Sequence, residues 1–207
     1  MTITLHQGDL PQGIEWGNAI AVDTEAMGLN NYRDRLCLVQ LSSGDGTAHL
    51  VRFEKDKFEA PILRALLENQ DITKIFHYAR FDIAILKEYL DVDCKPIYCT
   101  KIASMLVRTY TDKHGLKELC RELIDVDLSK QQQSSDWGAN DLTPAQQTYA
   151  ANDVFYLHAL REKLDEMLKR ENRTDLAKKC FEFLPARAEL DLAGWLETDI
   201  FAHSTSR

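Results

Sequence analysis

The chain has 207 residues, of which 44% are hydrophobic, and it carries a formal net charge of -8. This length allows one sizeable core and is too short for two ordinary domains, so we expect a single domain over residues 1–207. Contacts to a long phosphate backbone need clustered Lys and Arg, so the acidic balance argues against duplex DNA or extended RNA as a ligand. Any nucleic-acid substrate should therefore be short.

The cysteines and the hydropathy pattern indicate the cellular compartment in which the protein is expected. The five cysteines are odd in number and include no Cys-x-x-Cys pair, which favours a reducing cytoplasm. The first twenty residues lack the basic start of an export signal, and no apolar stretch approaches the length that crosses a bilayer. We expect a cytoplasmic protein without membrane contact.

The first part of the chain predicts strands. Alternation at Ile3 and Leu5 predicts a short edge strand, and the apolar residues 19–22 predict a fully buried one. Residues 36–41 and 49–51 predict two more strands, separated by a Gly-rich turn. Three neighbouring strands of this kind indicate an antiparallel meander.

From residue 60 onward, helical and extended patterns alternate. Apolar residues at helical spacing in 62–67 and 81–89 predict helices on either side of a strand at 74–76. Such alternation adds parallel strands to the sheet. The sequence therefore predicts an α/β fold with a mixed central sheet, an antiparallel meander and helices on both faces.

The rest of the chain is predicted to be mainly helical. Helices are expected at 102–107 and 116–123, and a long one should start at Thr143-Pro144 and run to about Leu168. The polar run 129–138 predicts a loop, and residues 203–207 a frayed tail.

Two acidic residues end the predicted strand at 19–22. Asp23 and Glu25 are separated by one residue, so both carboxylates project from the same side of the strand and can reach one ion. The carboxyl end of a strand is also the edge where α/β proteins place their sites. On their own, these residues would more often indicate a strand-end turn with solvated acids.

Two later segments add further acids. Asp82 follows the strand at 74–76, which places it at the same edge of the sheet, although an Asp at the start of a helix is also an ordinary N-cap. Tyr149 and Asp153 are four residues apart in a predicted helix and therefore stack on one face. An exposed helix surface would have the same spacing.

Together and in this order, Asp23-x-Glu25, Asp82 and Tyr149-x-x-x-Asp153 resemble the motifs of the DEDD superfamily of 3′-to-5′ exonucleases, in its ribonuclease D-like branch. The surrounding segments Leu38-Val39-Gln40-Leu41 and Leu142-Thr143-Pro144-x-Gln146 also match that family. The resemblance covers most of the chain and implies a ribonuclease H-like fold.

The resemblance implies a two-metal phosphodiesterase. In the family's pattern Asp23 bridges both ions, Glu25 and Asp153 complete the site of the nucleophilic water, and Asp82 supports the second ion. Ligands that are all carboxylates suit hard cations, either Mg²⁺ or Mn²⁺. The Tyr149 phenol is normally protonated near pH 7, so we expect it to orient the attacking water. The products would be nucleoside 5′-monophosphates.

Substrate contacts are expected around the acidic motifs. Met27, Gly28 and Leu29 follow the first motif, and in related exonucleases an apolar side chain here wedges against the last bases, which makes Leu29 the candidate wedge. A core leucine that ends a loop is the competing interpretation. His77 could contact the terminal sugar or phosphate, and Trp137 could stack on a base, although buried aromatics outnumber stacking ones.

The chain also resembles nanoRNase C of alphaproteobacteria, through the segments 100–103, 108–112, 130–137 and 191–195. That family implies a ring-shaped homo-octamer that cuts very short oligoribonucleotides, dinucleotides above all, to monomers in the last step of RNA decay. The apolar residues of the C-terminal extension, about 185–207, are compatible with contacts between subunits. A packed intramolecular core is the alternative.

Three functions remain open from sequence. The leading hypothesis is a 3′-to-5′ exoribonuclease of short RNA, with short DNA as a further substrate in vitro. The second is ribonuclease D-like trimming of structured RNA ends, or DNA proofreading. The third is a catalytically silent nucleic-acid-binding scaffold, against which the presence of all five expected residues argues.

Overall fold

A computed structural model describes residues 1–129, 131–132 and 134–203 of the chain. Within these ranges, six strands form one sheet in the order β1-β4-β3-β2-β5-β6. The strands are β1 Thr2–Gln7, β2 Ala19–Ala26, β3 Leu36–Ser42, β4 Thr47–Arg52, β5 Thr73–Phe76 and β6 Ile97–Cys99. The β2–β3 and β3–β4 pairs are antiparallel, which confirms the predicted meander. The β1–β4, β2–β5 and β5–β6 pairs are parallel, so the sheet is mixed, as predicted.

Helices cover both faces of the sheet. They are α1 Pro61–Glu68, α2 Ala79–Leu90, α3 Thr100–Val107, α4 Leu116–Ile124, α5 Pro144–Phe155, α6 Leu157–Arg170 and α7 Thr174–Leu190, and a π-helical turn Asp191–Trp195 follows α7. On one face, Leu38 and Leu50 pack against Ala150 of α5. Side chains alternate along a strand, so Val39 and Leu41 project to the other face, into the main core with α2.

The predicted helix from Thr143 to about Leu168 is wrong in its length, because the chain forms two helices there. The continuous helix is interrupted at Tyr156, whose backbone has φ -104° and ψ -5°. As a result, α5 lies along β1 to β4, whereas α6 packs against α3 and α4. The helix start at Thr143 is confirmed, since its side chain accepts a hydrogen bond from the backbone of Gln146 in a capping box.

Two further differences concern short or peripheral segments. Strand β6 was not predicted, because three residues are too few for a periodic signal. The predicted loop 129–138 contains no helix or strand in its described part, and Lys130 and Gln133 lie outside the described residues. Residues 204–207 of the expected frayed tail 203–207 also lie outside the described residues. Within the described ranges, no helix combines the length and the apolar composition needed to traverse a bilayer.

Candidate active site

Strand β2 presents the first two acids at an open edge of the sheet. It pairs with β5 only as far as Ala21, opposite Ile75. Within the described residues, β2 pairs with β3 alone from residue 22 onward. Asp23 and Glu25 lie in this part of the strand and project to the same face, because one residue separates them. The sheet therefore leaves room for a site at Asp23 and Glu25, just beyond the last parallel pair of β2 and β5.

Helix α5 brings the third acid to the same place. It packs across β2, β3 and β4, on the face to which Asp23 and Glu25 project. Asp153 lies on the sheet-facing side of this helix, and one carboxylate oxygen from each of Asp23, Glu25 and Asp153 lies within 4.8 Å of the others. Three of the four predicted metal ligands thus converge in one cluster.

Asp82 approaches from the opposite layer. It lies in the first turn of α2 and is only 4% exposed. Thr24 projects to the α2 face, and its hydroxyl donates to Oδ1 of Asp82 at 2.7 Å. Asp82 is not a helix N-cap, because the cap position belongs to Tyr78, a left-handed residue with φ 71°. The fourth acid is therefore held beside the cluster by Thr24, rather than within it.

Burial raises the pKa of all four carboxyl groups. For Asp23 burial raises the pKa to about 7, and a hydrogen bond from the backbone of Thr24 opposes the shift. For Glu25 burial acts together with the charges of the other three acids. For Asp82 and Asp153 burial and the charge of Asp23 raise the pKa. Among the described residues, no Lys or Arg forms an ion pair with any of the four.

Tyr149 stands one turn before Asp153 on α5. Burial, followed by the charges of Asp153, Glu25 and Asp23, raises the pKa of its hydroxyl well above the ordinary value. The phenol therefore keeps its proton at neutral pH and can donate a hydrogen bond. Its ring packs against Trp137, with ring centroids 6.0 Å apart.

A cavity of about 650 Å³ opens over the acids. Met27, Gly28, Leu29 and His77, four of the predicted substrate contacts, line it together with the acids and Tyr149. Leu29 is 84% exposed, so the structure does not place it in the core. A larger cavity of about 870 Å³ lies between β6, α6 and α7, and none of the predicted site residues lines it.

Gly28 fixes the path of the loop that carries Leu29. A Cβ atom at this position would lie 2.3 Å from Oδ2 of Asp34. The same Asp34 oxygen accepts from the backbone of Asn30 at 3.0 Å and so closes the loop. Any side chain at residue 28 would displace Asp34 and with it the exposed leucine at the cavity rim.

His77 is held in one tautomer. The Thr100 hydroxyl donates to the carbonyl of Phe76 at 3.1 Å, so Nδ1 of His77 is the donor in its 2.9 Å hydrogen bond with that hydroxyl. Burial, and secondarily the charge of Lys101, lowers the pKa of His77 to about 3. The imidazole is therefore neutral at pH 7, and Nε2 is an acceptor.

The structure places Trp137, which was expected to stack on a base, away from the lining of the cavity over the acids. Its side chain is 3% exposed and belongs to a small core cluster with Leu38, Leu50 and Ala150. It is absent from the residues that line the cavity over the acids. A large aromatic in a polar loop looks the same in sequence whether it faces a ligand or the core. Trp137 supports the ring of Tyr149 instead.

Sequence reasoning missed several residues that line the cavity, among them Thr24, Tyr78 and Lys101. Thr24, between the two acids of the first motif, was passed over although its hydroxyl reaches Asp82. Tyr78 and Lys101 form a cation–π pair, with Nζ 4.2 Å from the ring centroid. The left-handed backbone of Tyr78 has no sequence signal, and Lys101 follows the strand β6 that was itself missed.

The sequence model of the 3′-5′ exonuclease family matches residues 9–169, more than half of the chain. The chain belongs to the 3′-5′ exonuclease family. Its sequence is 35% identical over 156 residues to a ribonuclease D of Acidiphilium cryptum, covering 75% of this chain and 39% of that protein. The exonuclease chain thus spans about two fifths of the length of such relatives.

Comparison with solved structures shows which kind of exonuclease the chain resembles. NrnC of Brucella melitensis with bound Mg²⁺ is 54% identical, with a TM-score of 0.95 over 99% of this chain and 100% of that one. NrnC bound to pGG is 55% identical, with a TM-score of 0.96 over the same shares. The exonuclease chain is therefore ribonuclease D-like and similar to NrnC throughout, and its fold is the ribonuclease H-like one predicted.

The acids of this exonuclease chain fit divalent cations on physical grounds. The cluster of Asp23, Glu25 and Asp153 offers only oxygen atoms, which are the ligands that hard cations prefer. Burial first, and then the charges of the neighbouring acids, raise the pKa of Glu25 and Asp153, so the ionised forms are disfavoured when no counter-charge is present. A divalent cation would supply that counter-charge.

Proposed function

We propose that this chain is a 3′-5′ exoribonuclease that hydrolyses very short oligoribonucleotides, dinucleotides above all, to nucleoside 5′-monophosphates in the last step of RNA decay. The observation that carries the proposal is the convergence of Asp23, Glu25 and Asp153 within 4.8 Å on the wall of a confined cavity. Its volume of about 650 Å³ lies in the range of small-ligand sites.

Two further observations support a short substrate. The net charge of -8 disfavours a long phosphate backbone, since binding along such a backbone depends mainly on clustered Lys and Arg. Among the described residues that line the cavity, Lys101 and Lys117 are the lysines, and Lys117 pairs with Asp127 at 3.3 Å. The similarity to NrnC bound to pGG, over the full length of both chains, supports the same conclusion.

Asp23, Glu25, Asp82 and Asp153 would hold two divalent cations, Mg²⁺ or Mn²⁺, at each active site. Bound there, the cations would lower the pKa of water toward neutrality and stabilise the charge on the departing oxygen. Thr24 keeps Asp82 turned toward the site through its hydroxyl. The acids are thus held in place before a substrate binds.

The remaining residues orient the reactants. Tyr149, protonated and packed on Trp137, donates a hydrogen bond to the attacking water. Leu29, with Met27 and Gly28 beside it, wedges against the terminal base from the cavity rim. His77, neutral, accepts a hydrogen bond from a hydroxyl of the terminal sugar through Nε2. Water attacks the terminal phosphorus, and the 3′ oxygen of the shortened chain leaves.

We also propose the setting in which this chemistry takes place. Residues 1–207 would act as a single domain in the cytoplasm and assemble into a homo-oligomer, an octamer by resemblance to nanoRNase C. Exposed apolar side chains near the C-terminus support contacts between subunits: Phe183, Trp195, Leu196, Ile200 and Phe201. A native-mass measurement tests this part independently of activity.

The activity is tested with end-labelled RNAs of two residues and upward, each incubated with Mg²⁺, Mn²⁺ or a chelator. Nucleoside monophosphates should appear with either metal and not with the chelator, and kcat/KM should fall as the RNA lengthens. Short DNA of matched length tests selectivity for the sugar.

The outcomes separate the competing functions. A rate that rises or stays flat with length would favour trimming of structured RNA or proofreading. Absence of monophosphates with every substrate and both metals would favour a silent scaffold. Asp23→Ala, with an unchanged circular dichroism spectrum, is the matched inactive control.

A further inference from the structure

Gln40 is a polar residue in the middle of a buried strand. It lies in β3 among Leu38, Val39 and Leu41, and its side chain is fully buried. A buried amide costs free energy unless its donors and acceptors find partners. In a strand whose other interior residues are apolar, such a residue needs an explanation.

The sheet register places Gln40 directly opposite Asp23. The two residues are paired across the antiparallel β2–β3 ladder, so their side chains project to the same face. Nε2 of Gln40 lies 3.5 Å from Oδ2 of Asp23 and donates toward it. The reverse orientation of the amide would set two acceptors against each other, so the contact fixes the amide's direction.

The oxygen of the Gln40 amide, unlike its nitrogen, has no contact that explains its burial. In the part of the chain that the structure describes, the buried Oε1 of Gln40 has no hydrogen-bond partner. An apolar side chain of similar shape would avoid this unpaired acceptor. A purely structural role therefore favours Met or Leu at this position, and the contact with Asp23 is what remains to favour Gln.

A neutral donor accompanies another acid of the site as well. The Thr24 hydroxyl donates to Oδ1 of Asp82 at 2.7 Å. A neutral donor orients a carboxylate without cancelling its charge. A Lys or Arg in the same position would compete with a cation for the oxygens.

We infer that Gln40 is a positioning residue that fixes the rotamer of Asp23 so that its carboxylate is ready to hold divalent cations. The inference rests on the cation-binding role of Asp23 in the proposed function. It assigns Gln40 no contact with the substrate. Groups that orient the ligands of a metal site in this way are worth about 10-fold to 100-fold in metal affinity.

The test is the variant Gln40→Met, with Gln147→Met as the matched control. The Gln147→Met variant also loses a side-chain hydrogen bond, the one from Nε2 of Gln147 to the carbonyl of Leu142. None of the hydrogen bonds of Gln147 reaches the acids. Mg²⁺ and Mn²⁺ are titrated calorimetrically into each free protein, and thermal unfolding is recorded in chelator. We expect Gln40→Met to raise the Kd for Mg²⁺ about 10-fold, with no loss of unfolding temperature in chelator.

Activity supplies a second readout. For Gln40→Met, the Mg²⁺ concentration at half-maximal rate should rise by the same factor, while kcat at saturating Mg²⁺ is retained. Gln147→Met should leave both quantities at their wild-type values. Gln40→Leu repeats the experiment with a second apolar side chain, should Gln40→Met fail to fold.

The outcomes are distinguishable from those of the proposed function. If wild-type protein binds neither Mg²⁺ nor Mn²⁺, the proposed function fails and the inference falls with it. If wild-type binds Mg²⁺ and Gln40→Met binds it equally well, only the inference is overturned. A weaker affinity that accompanies an equally lower unfolding temperature in chelator would mark Gln40 as structural and also overturn it.

Discussion

Tyr149 keeps its proton at neutral pH, because burial and the nearby carboxylates raise the pKa of its hydroxyl. Its contribution at the residue scale is therefore that of a donor. Tyr149→Phe should lower kcat about 100-fold, the usual cost of removing one well-placed donor, and leave the Mg²⁺ affinity unchanged. Steady-state kinetics on a dinucleotide and a Mg²⁺ titration measure both.

The control for this variant is Tyr110→Phe, which removes a hydroxyl that donates to Glu122 at 2.6 Å. Tyr110 does not line the cavity over the acids, so kcat should remain at the wild-type value. A Tyr149→Phe protein with unchanged kcat but weaker Mg²⁺ binding would show that the phenol supports the cations rather than the water.

The acids predict how stability depends on pH when metal is absent. Their folded pKa values are raised, to about 7 for Asp23, whereas an unfolded Asp titrates near 3.9. Between these values the folded chain holds more protons than the unfolded one, so the free energy of unfolding falls as pH rises. The unfolding temperature in chelator should therefore decline from about pH 5 to pH 8.

Adding Mg²⁺ should flatten this decline, because the cation stabilises the ionised acids. Asp153→Asn should also flatten it in chelator, since one of the repelling charges is removed. Thermal unfolding over a series of pH values, with and without Mg²⁺, provides the measurement. A chelated wild-type protein whose unfolding temperature is independent of pH would contradict the prediction.

The sequence predicted the acidic cluster better than it predicted the surroundings of that cluster. Asp23, Glu25 and Asp153 stand in short motifs at a strand end and on a helix face, and those local rules carried them to one cluster. Trp137 lies in a core cluster, and hydropathy does not distinguish a ligand-facing aromatic from a buried one. Lys101 was missed because its proximity depends on the path of the whole chain.

At the scale of elements, the start of α5 sets where Tyr149 and Asp153 lie. Thr143 caps this helix by accepting from the backbone of Gln146 at 3.2 Å. Thr143→Ala should lower the free energy of unfolding by about 1 kcal/mol, the typical cost of losing such a cap. Urea unfolding monitored by circular dichroism measures it.

Thr148→Ala in the same helix is the control. Its hydroxyl donates to the carbonyl of Pro144 at 2.8 Å within the helix, so it satisfies no free backbone group, and stability should change little. Equal losses in both variants would mean that the capping box does not stabilise the helix end.

The break between α5 and α6 shows where element prediction reaches its limit. Apolar residues continue at helical spacing on both sides of Tyr156, as Ala150, Val154, Leu157 and Leu160, and no Gly or Pro interrupts them. The break is set by tertiary packing, because α5 must lie on the sheet while α6 packs against α3 and α4. The spacing of apolar residues alone does not show that the two halves pack against different partners.

At the scale of the whole molecule, a buried ion-pair network attaches the C-terminal segment to the body. Asp191 accepts from Nη2 of Arg80 at 2.7 Å and from Nη2 of Arg187 at 2.5 Å. The two guanidinium groups also donate to the carbonyls of Leu196 and Trp195. Asp191→Asn should lower the free energy of unfolding by about 2 kcal/mol, the scale of hydrogen bonds between charged groups.

The pH dependence of this network has the opposite sign to that of the active-site acids. Burial tends to raise the pKa of Asp191, but the hydrogen bonds and charges of Arg80 and Arg187 outweigh it and lower the pKa. The stabilisation is present above the unfolded pKa, near 3.9, and is lost as pH falls through the folded value. Acid should therefore release the C-terminal segment, and hydrogen exchange of residues 191–203 would record it.

Asp175→Asn, in the exposed first turn of α7, is the control for the network. Its nearest cation is Lys178 at 4.0 Å, so the variant should change stability by only tenths of a kcal/mol. If Asp175→Asn and Asp191→Asn have equal effects, the network contributes nothing beyond ordinary surface charge.

The overall architecture followed from sequence because its main signals are local. Alternating and continuous apolar runs predicted the meander, and the later alternation of helix and strand predicted the parallel additions to the sheet. The order of strands, with β1 beside β4 at one edge, depends on long-range pairing that no window of sequence records. The attachment of the C-terminal segment through Arg80 is of the same kind.

Arg80 also lies in the helical turn that presents Asp82, two residues away. The C-terminal segment around Asp191 and the first turn of α2 are therefore held by the same arginine. A protease that cut just ahead of Asp191 would leave the sheet intact and yet loosen the turn beneath the fourth acid. Such a cut should therefore lower the free energy of unfolding, as is expected of Asp191→Asn, and lower the rate of hydrolysis as well.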